Sequence, residues 1–175
     1  MISDASIVVL QNEIPHEANL SIAKFCQENK VKVLYNPAPA RETDIEMIPF
    51  CDFITPNEHE CSELFPDKKL EEIIKIYPNK MIVTLGVEGS IYYDGTAVKK
   101  IPAIKAEVVD TTGAGDTFNG AFAYAISKGK EMDVALSFAT IASHLSVQRF
   151  GAQGGMPSLK EIKEHSGYEE IWDFK

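Results

Sequence analysis

The sequence predicts an α/β fold built on a mostly parallel sheet, with flanking helices and an antiparallel hairpin at one edge. Three observations carry that expectation. Four short apolar runs lack polar alternation, as strands covered on both faces do. Helical spacing recurs around them, and an Asp-Gly dipeptide separates two further strand-like runs. The runs Ala5 to Leu10 and Val31 to Tyr35 flank a stretch in which Ala18, Ile22, Phe25 and Cys26 repeat at helical spacing, giving a strand, helix, strand unit. Runs from Phe50 to Ile54 and from Met81 to Leu85 follow at intervals that leave room for crossover helices. Ser90 to Tyr93 and Thr96 to Ile101 bracket Asp94-Gly95, a pair suited to the positive φ angles of a type I′ turn. After Val108 and Val109, one helix is marked by Phe118, Ala121, Phe122, Ala125 and Ile126, and a second by Ala135, Phe138, Ala139, Ala142 and Leu145. Gly129 as stop and Asp133 as N-cap separate the two. Residues 151–157 read as a loop, after which Ser158 can cap a short last helix.

A length of 175 residues with 45% hydrophobic content predicts one globular domain over residues 1–175. The net charge of -9 would repel a phosphate backbone, and no Lys/Arg cluster exceeds two residues, so nucleic acid is not expected as a partner. No apolar run reaches the ~18 residues that span a bilayer. The first residues lack a basic start and an apolar core, so a cytoplasmic location is expected and a membrane partner is not. Cys26, Cys51 and Cys61 form no C-x-x-C pair and are expected to be reduced. Cys51, His59 and Cys61 invite a metal reading, but no fourth ligand stands at a recognisable spacing, and ordinary packing is the simpler expectation.

Three motifs carry chemistry. In Gly113-Ala-Gly-Asp116 a loop turns into a helix continuing to about Ser127. The first amides of a helix lack internal acceptors and the peptide dipoles favour negative charge, so they can hold a phosphoryl group. Asp116 beside them could accept the proton of an attacking hydroxyl. The alternative is a tight turn with an aspartate that merely favours a helix start. A dinucleotide fingerprint is excluded because Phe118 stands where the third glycine belongs, and no P-loop spelling occurs. In Thr55-Pro-Asn-Glu-His-Glu60, Thr55 and Glu58 fit a capping box with Pro56 at the first helical position. Asn57 and Glu60 would then share one face of the first turn, free to organise Mg²⁺ through water and to orient nucleotide phosphates. Thr84-Leu-Gly-Val-Glu-Gly89 closes the fourth strand, and its glycines allow either a close approach by adenine or ribose or a plain turn.

Taken together and in this order, these residues resemble the ribokinase (PfkB) family of carbohydrate kinases. Asp110 to Phe118 matches the family's C-terminal signature, Asn57 to Glu60 its N-x-x-E motif, and Asn36-Pro-Ala-Pro-Ala-Arg41 a spelling typical of ribokinases. The match runs from about Ser6 to Pro157. It implies a three-layer ribokinase-like fold and ATP-dependent phosphorylation of a sugar's primary hydroxyl, D-ribose first among acceptors, with Mg²⁺ and K⁺. The resemblance casts Asp116 as the base and the amides of Gly113, Ala114 and Gly115 as its anion hole. Asn57 and Glu60 would order phosphates and Mg²⁺, and Thr84, Gly86, Gly89 and Thr140 would line the adenine nucleotide. Asp110, Thr112, Ser146, Arg149, Gly151 and Gly155 fall at the family's monovalent-cation site. Glu13 falls where ribokinases set a carboxylate against the sugar. Arg149 as a helix cap and Glu13 on a solvated loop are the plain alternatives. Ribokinases typically approach three hundred residues, so the chain is expected to lack the N-terminal lid half and to be a fragment or truncated product. An apolar sheet edge near the first strand is expected in consequence, with a homodimer through that edge as one partner. A nucleotide-binding module without catalysis, and a kinase for fructose or a nucleoside, are the competing functions.

Overall fold

The computed structural model describes residues 2–174, and they form two compact units. One runs to Gly86 and takes up Ser90–Lys100, while the other comprises Val87–Gly89 and the chain from Ile101 onward.

The first unit is an α/β sheet. Its elements are β1 (Ile7–Gln11), α1 (His16–Glu28), β2 (Lys32–Asn36), a 3-10 segment (Glu42–Phe50), β3 (Phe53–Ile54), α2 (Glu58–Leu64), α3 (Leu70–Ile76), β4 (Ile82–Thr84), β5 (Ser90–Tyr93) and β6 (Val98–Ile101). β1 and β2 pair in parallel from Ile7↔Lys32 to Gln11↔Asn36, and β2 pairs with β3 through Leu34↔Phe53. Parallel bridges Ile54↔Met81 and Asn57↔Thr84 carry the ladder on to β4. β5 then runs antiparallel to β4, and β6 lies beyond it. The apolar runs form strands because they are covered: Val33, Tyr35, Ile54, Met81 and Val83 are buried in one cluster with Ala23 and Cys26 of α1 and Ile73 and Ile74 of α3. Each large aliphatic side chain so buried stabilises by ~1.5–3 kcal/mol. β1 has β2 as its one sheet neighbour among the described residues, and Val9 on it is 45% exposed.

Two local expectations fail here for physical reasons. The run Phe50 to Ile54 yields a strand of only two residues, because Pro49 and the 3-10 turn hold the chain as far as Phe50. Asp52 then occupies Val33 from both sides, its N–H donating to the Val33 carbonyl at 2.9 Å and its carboxylate accepting the Val33 N–H at 2.8 Å. The β5–β6 turn is not type I′, since Gly95 takes a positive φ of 97° and Asp94 does not. Asp94 instead accepts the Ala97 N–H, the Thr96 hydroxyl and the Thr96 N–H, each at 2.7 Å, which together hold its carboxyl far below the usual carboxylate range.

The second unit is helical: α4 (Ala114–Ser127), α5 (Met132–Ser146), α6 (Ala152–Gly155) and α7 (Leu159–Glu164). α4 and α5 pack against one another, with the Tyr124 and Phe138 rings 5.9 Å apart, and Phe118, Phe122, Leu136 and Phe138 are buried. Gly129, at φ 71°, ends the first helix as its position predicts. The N-cap of α5 is Glu131 and not Asp133, because the first helical bond runs from the Ala135 N–H to the Glu131 carbonyl at 2.9 Å. Asp133 sits in the first turn, where its charge suits the helix dipole. Near the C-terminus Phe174 stacks on Phe138 at 4.2 Å between ring centroids. Cys26, Cys51 and Cys61 are free and buried. Among the described residues no cluster of His, Cys, Asp or Glu could hold a metal, and no helix is long and apolar enough to cross a membrane.

Candidate active site

The turn from β3 into α2 differs from the sequence expectation in an informative way. Thr55 and Pro56 do not open the helix. The Thr55 N–H donates to the Tyr35 carbonyl at 3.0 Å, and the Pro56 carbonyl accepts the Thr84 N–H at 3.0 Å, so both residues still belong to the sheet ladder. The N-cap is therefore Asn57. Its Oδ1 accepts the Glu60 N–H and the Glu60 Oε2 accepts the Asn57 N–H, each at 2.8 Å, a reciprocal capping box. Asn57 is exposed and Glu60 is buried, and burial raises the Glu60 carboxyl above its ordinary range while the Asn57 N–H pulls it back. The cap leaves the Asn57 Nδ2 and the Glu60 Oε1 outside its hydrogen bonds. Through the Asn57↔Thr84 bridge, the motif after β3 and the motif after β4 lie side by side at the carboxyl ends of their strands.

The two glycines after Thr84 differ in kind. Gly86 has φ 54° and open space where a Cβ would stand. A Cβ on Gly89, at φ 99°, would overlap the Ile101 carbonyl and lie 2.6 Å from the Ala103 nitrogen. The packing of the chain itself thus requires glycine at position 89. Glu13 is exposed on the turn after β1.

In the second unit, Gly113 is the N-cap of α4 with φ 77°, and a Cβ there would come within 2.9 Å of Ala152. Asp116 lies in the first turn of that helix. The Ala114 N–H donates to the Thr111 carbonyl at 3.2 Å, whereas the amides of Gly113 and Gly115 donate to no backbone carbonyl among the described residues. Asp116 lines a mostly apolar cavity of about 330 Å³ with Thr117, Gly120, Tyr124, Met156 and Pro157. Thr140 is buried, its hydroxyl donating to the Leu136 carbonyl at 2.8 Å.

Five of the expected cation-site residues are drawn together, Asp110 with Thr112 and Gly151, and Ser146 with Gly155. Asp110 accepts the Thr112 N–H on Oδ1 and the Gly151 N–H on Oδ2, both at 2.9 Å. The Thr112 N–H first, with its hydroxyl and then the Gly151 N–H, keeps the Asp110 carboxyl below its ordinary range. Gly155 packs so closely on Ser146 that a Cβ would stand 2.8 Å from the Ser146 carbonyl oxygen. The ionised Asp110 carboxylate is a hard oxygen donor of the kind a monovalent cation takes, and its two oxygens also accept the Thr112 and Gly151 N–H groups. The Arg149 side chain pairs with Glu161 at 2.5 Å, and Glu161 is also the carboxylate of the α7 capping box with Ser158.

A polar cluster escaped the sequence reading. Asn12, Asn19 and Asp44 are buried, and Tyr35 donates its hydroxyl to the Asn12 Oδ1 at 2.7 Å. Burial, with Asp44 next, pushes the Tyr35 phenol well above its usual range. The available signal was the position of Asn12 and Asn36, polar residues directly at the ends of apolar strands where loops must be tied down.

The family model described as pfkB family carbohydrate kinase matches residues 2–159. The ribokinase of Lactococcus lactis is 65% identical over 162 residues, covering 93% of this chain and 54% of that protein. The ribokinase of Bacillus subtilis is 45% identical over 163 residues, covering 93% and 56%. The solved structure of Arabidopsis thaliana ribokinase complexed with ribose and ATP superposes with a TM-score of 0.83 at 33% identity, over 99% of this chain and 58% of that one. The chain thus spans little more than half the length of these relatives.

Proposed function

Because the chain belongs to the pfkB family of carbohydrate kinases, we propose that it supplies the nucleotide-binding and phosphoryl-transfer half of an enzyme that converts D-ribose and ATP to D-ribose 5-phosphate and ADP. The observation that carries the mechanism is Asp116 in the first turn of α4, behind a glycine cap that only a left-handed backbone can make. A carboxylate at that point can take the proton of the sugar's primary hydroxyl as its oxygen attacks the terminal phosphorus. The Gly113 and Gly115 amides, with the dipole of a helix 14 residues long, stabilise charge on the transferring phosphoryl group.

The other residues bind and orient. Asn57 Nδ2 and Glu60 Oε1 are the groups left over by the α2 cap, and one carboxylate oxygen with water and phosphates is how Mg²⁺ is commonly held. Mg²⁺ would neutralise phosphate charge. Thr84, Gly86, Gly89 and Thr140 take the nucleotide in this reading, and Glu13 the sugar. Asp110, Thr112, Ser146, Arg149, Gly151 and Gly155 take K⁺, which would fix the loop leading into α4. Support for ribose as acceptor comes from the 65% identity to a ribokinase and from a relative solved with ribose and ATP.

Titration calorimetry with ATP and Mg²⁺, followed by a coupled ADP-release assay with D-ribose, tests this reading. Heat of nucleotide binding and ribose-dependent ADP release are expected. Asp116→Asn should keep the nucleotide heat and lose roughly 10²- to 10⁴-fold in turnover, the usual contribution of a general base. Turnover near that of the parent would remove Asp116 from the mechanism.

A further inference from the structure

Glu13 sits on a turn that packing does little to hold. Glu13, Ile14 and Pro15 are all exposed, with Ile14 at 41%. The Glu13 carboxylate has no hydrogen bond or ion pair with the described residues. A group that must meet a ligand in a fixed orientation therefore needs its backbone held from outside the turn. The guanidinium of Arg41 does this. It donates through one nitrogen to the Asn12 carbonyl and through the other to the Ile14 carbonyl at 3.3 Å, so it grips the residue on each side of Glu13. Arg41 is itself anchored, its N–H donating to the Asp44 Oδ2 at 2.7 Å. The same oxygen accepts the Asn12 Nδ2 at 2.7 Å, and that amide also donates to the Pro39 carbonyl at 2.8 Å. The Asn12 N–H completes the tie on the Ala38 carbonyl at 3.3 Å.

We propose that Arg41 is the positioning residue for Glu13, fixing the sugar-facing carboxylate by clamping the two carbonyls that flank it. The proposal rests on the reading of Glu13 as a sugar contact. Arginine suits the task because its planar fork serves two acceptors at once, whereas lysine offers a single point of charge. Arg41 touches neither Glu13's carboxylate nor, in this assignment, the sugar. Its effect must therefore pass through Glu13 alone.

A double-mutant cycle with Arg41→Ala and Glu13→Ala, read in the ribose-dependent ADP-release assay, tests this. Arg41→Ala should raise the ribose KM about tenfold, a coupling within the range measured for residues in one network, and leave the ATP KM unchanged. In the Glu13→Ala background the Arg41 change should have no further effect on the ribose KM. Arg41→Lys should fall between parent and Arg41→Ala, and the Lys variant carries the same cycle if the Ala variant does not fold. Additive effects, a parallel rise in the ATP KM, or an unchanged ribose KM in a folded variant would each overturn the assignment while leaving the kinase reading intact. A parent that neither binds nor turns over ribose would overturn the kinase reading, and this assignment with it.

Discussion

Asn57 and Glu60 exchange hydrogen bonds, side chain to backbone in both directions, at 2.8 Å. The helix start and the candidate phosphate motif are consequently one structure, and a substitution at either residue acts on both. Asn57→Ala removes a side-chain cap and should cost about 1 kcal/mol of stability. Nucleotide affinity should fall by more than that loss explains if Asn57 Nδ2 also meets phosphate. Urea unfolding beside ATP calorimetry separates the two effects.

Glu60 gives a pH signature of definite sign. Burial holds its folded carboxyl above the ordinary value, so the folded state keeps its proton longer than the unfolded chain does. Its contribution is fully present below the unfolded carboxylate pKa and is lost as pH rises through the folded one. Glu60→Gln cannot titrate and should flatten that decline. The urea midpoint measured from about pH 4 to about pH 7 checks this, and an unchanged slope in the variant counts against the assignment.

Asp110 works in the opposite sense. Its carboxyl is lowered by N–H donors from Thr112 and Gly151, so its stabilising effect is present above the ordinary carboxylate pKa and disappears as pH falls through the folded value. Asp110→Asn should remove that acid-side loss and release the loop at Gly151. Stimulation of ADP release by KCl, relative to a large organic cation, should vanish in the variant while the nucleotide heat remains.

The sequence showed the strands, the order of elements and the three motifs, because apolar runs and glycine spacing are local signals. It misplaced the start of α2 because Thr55/Glu58 and Asn57/Glu60 both spell a capping box. What decides between them is the pairing of Thr55 with Tyr35 and of Pro56 with Thr84, partners twenty and twenty-eight residues away. The same kind of non-local bond shortened β3, where Asp52 takes both polar groups of Val33. Arg41 was legible only as part of a family spelling, since its acceptors are carbonyls, which every residue has.

The exposed edge of β1 predicts association. Its outer N–H and C=O groups face no other strand among the described residues, and Val9 adds apolar surface beside them. The chain should form a concentration-dependent dimer by light scattering. Val9→Lys, which places a charge on the edge, should return it to monomer without loss of helical or sheet signal by circular dichroism. A parent that stays monomeric across the accessible concentration range refutes the association.

Gly86 and Gly89 stand three residues apart in one motif, yet their alanine variants should behave differently. At Gly86 the positive φ is the only obstacle, since nothing lies within 4 Å of the new Cβ. The cost should be about 1–2 kcal/mol, that of an L-residue in a left-handed conformation. At Gly89 the Cβ would run into the Ile101 carbonyl and the Ala103 nitrogen, backbone atoms that cannot swing aside. Gly89→Ala should cost about 4 kcal/mol or more, in the range reserved for steric conflict in packed structure. The functional expectation runs the other way. Gly86→Ala, still folded, should weaken ATP binding if the open space above Gly86 is where the nucleotide lies. Equal destabilisation of the two variants, or a Gly86→Ala protein with parental ATP affinity, would separate this turn from the nucleotide site.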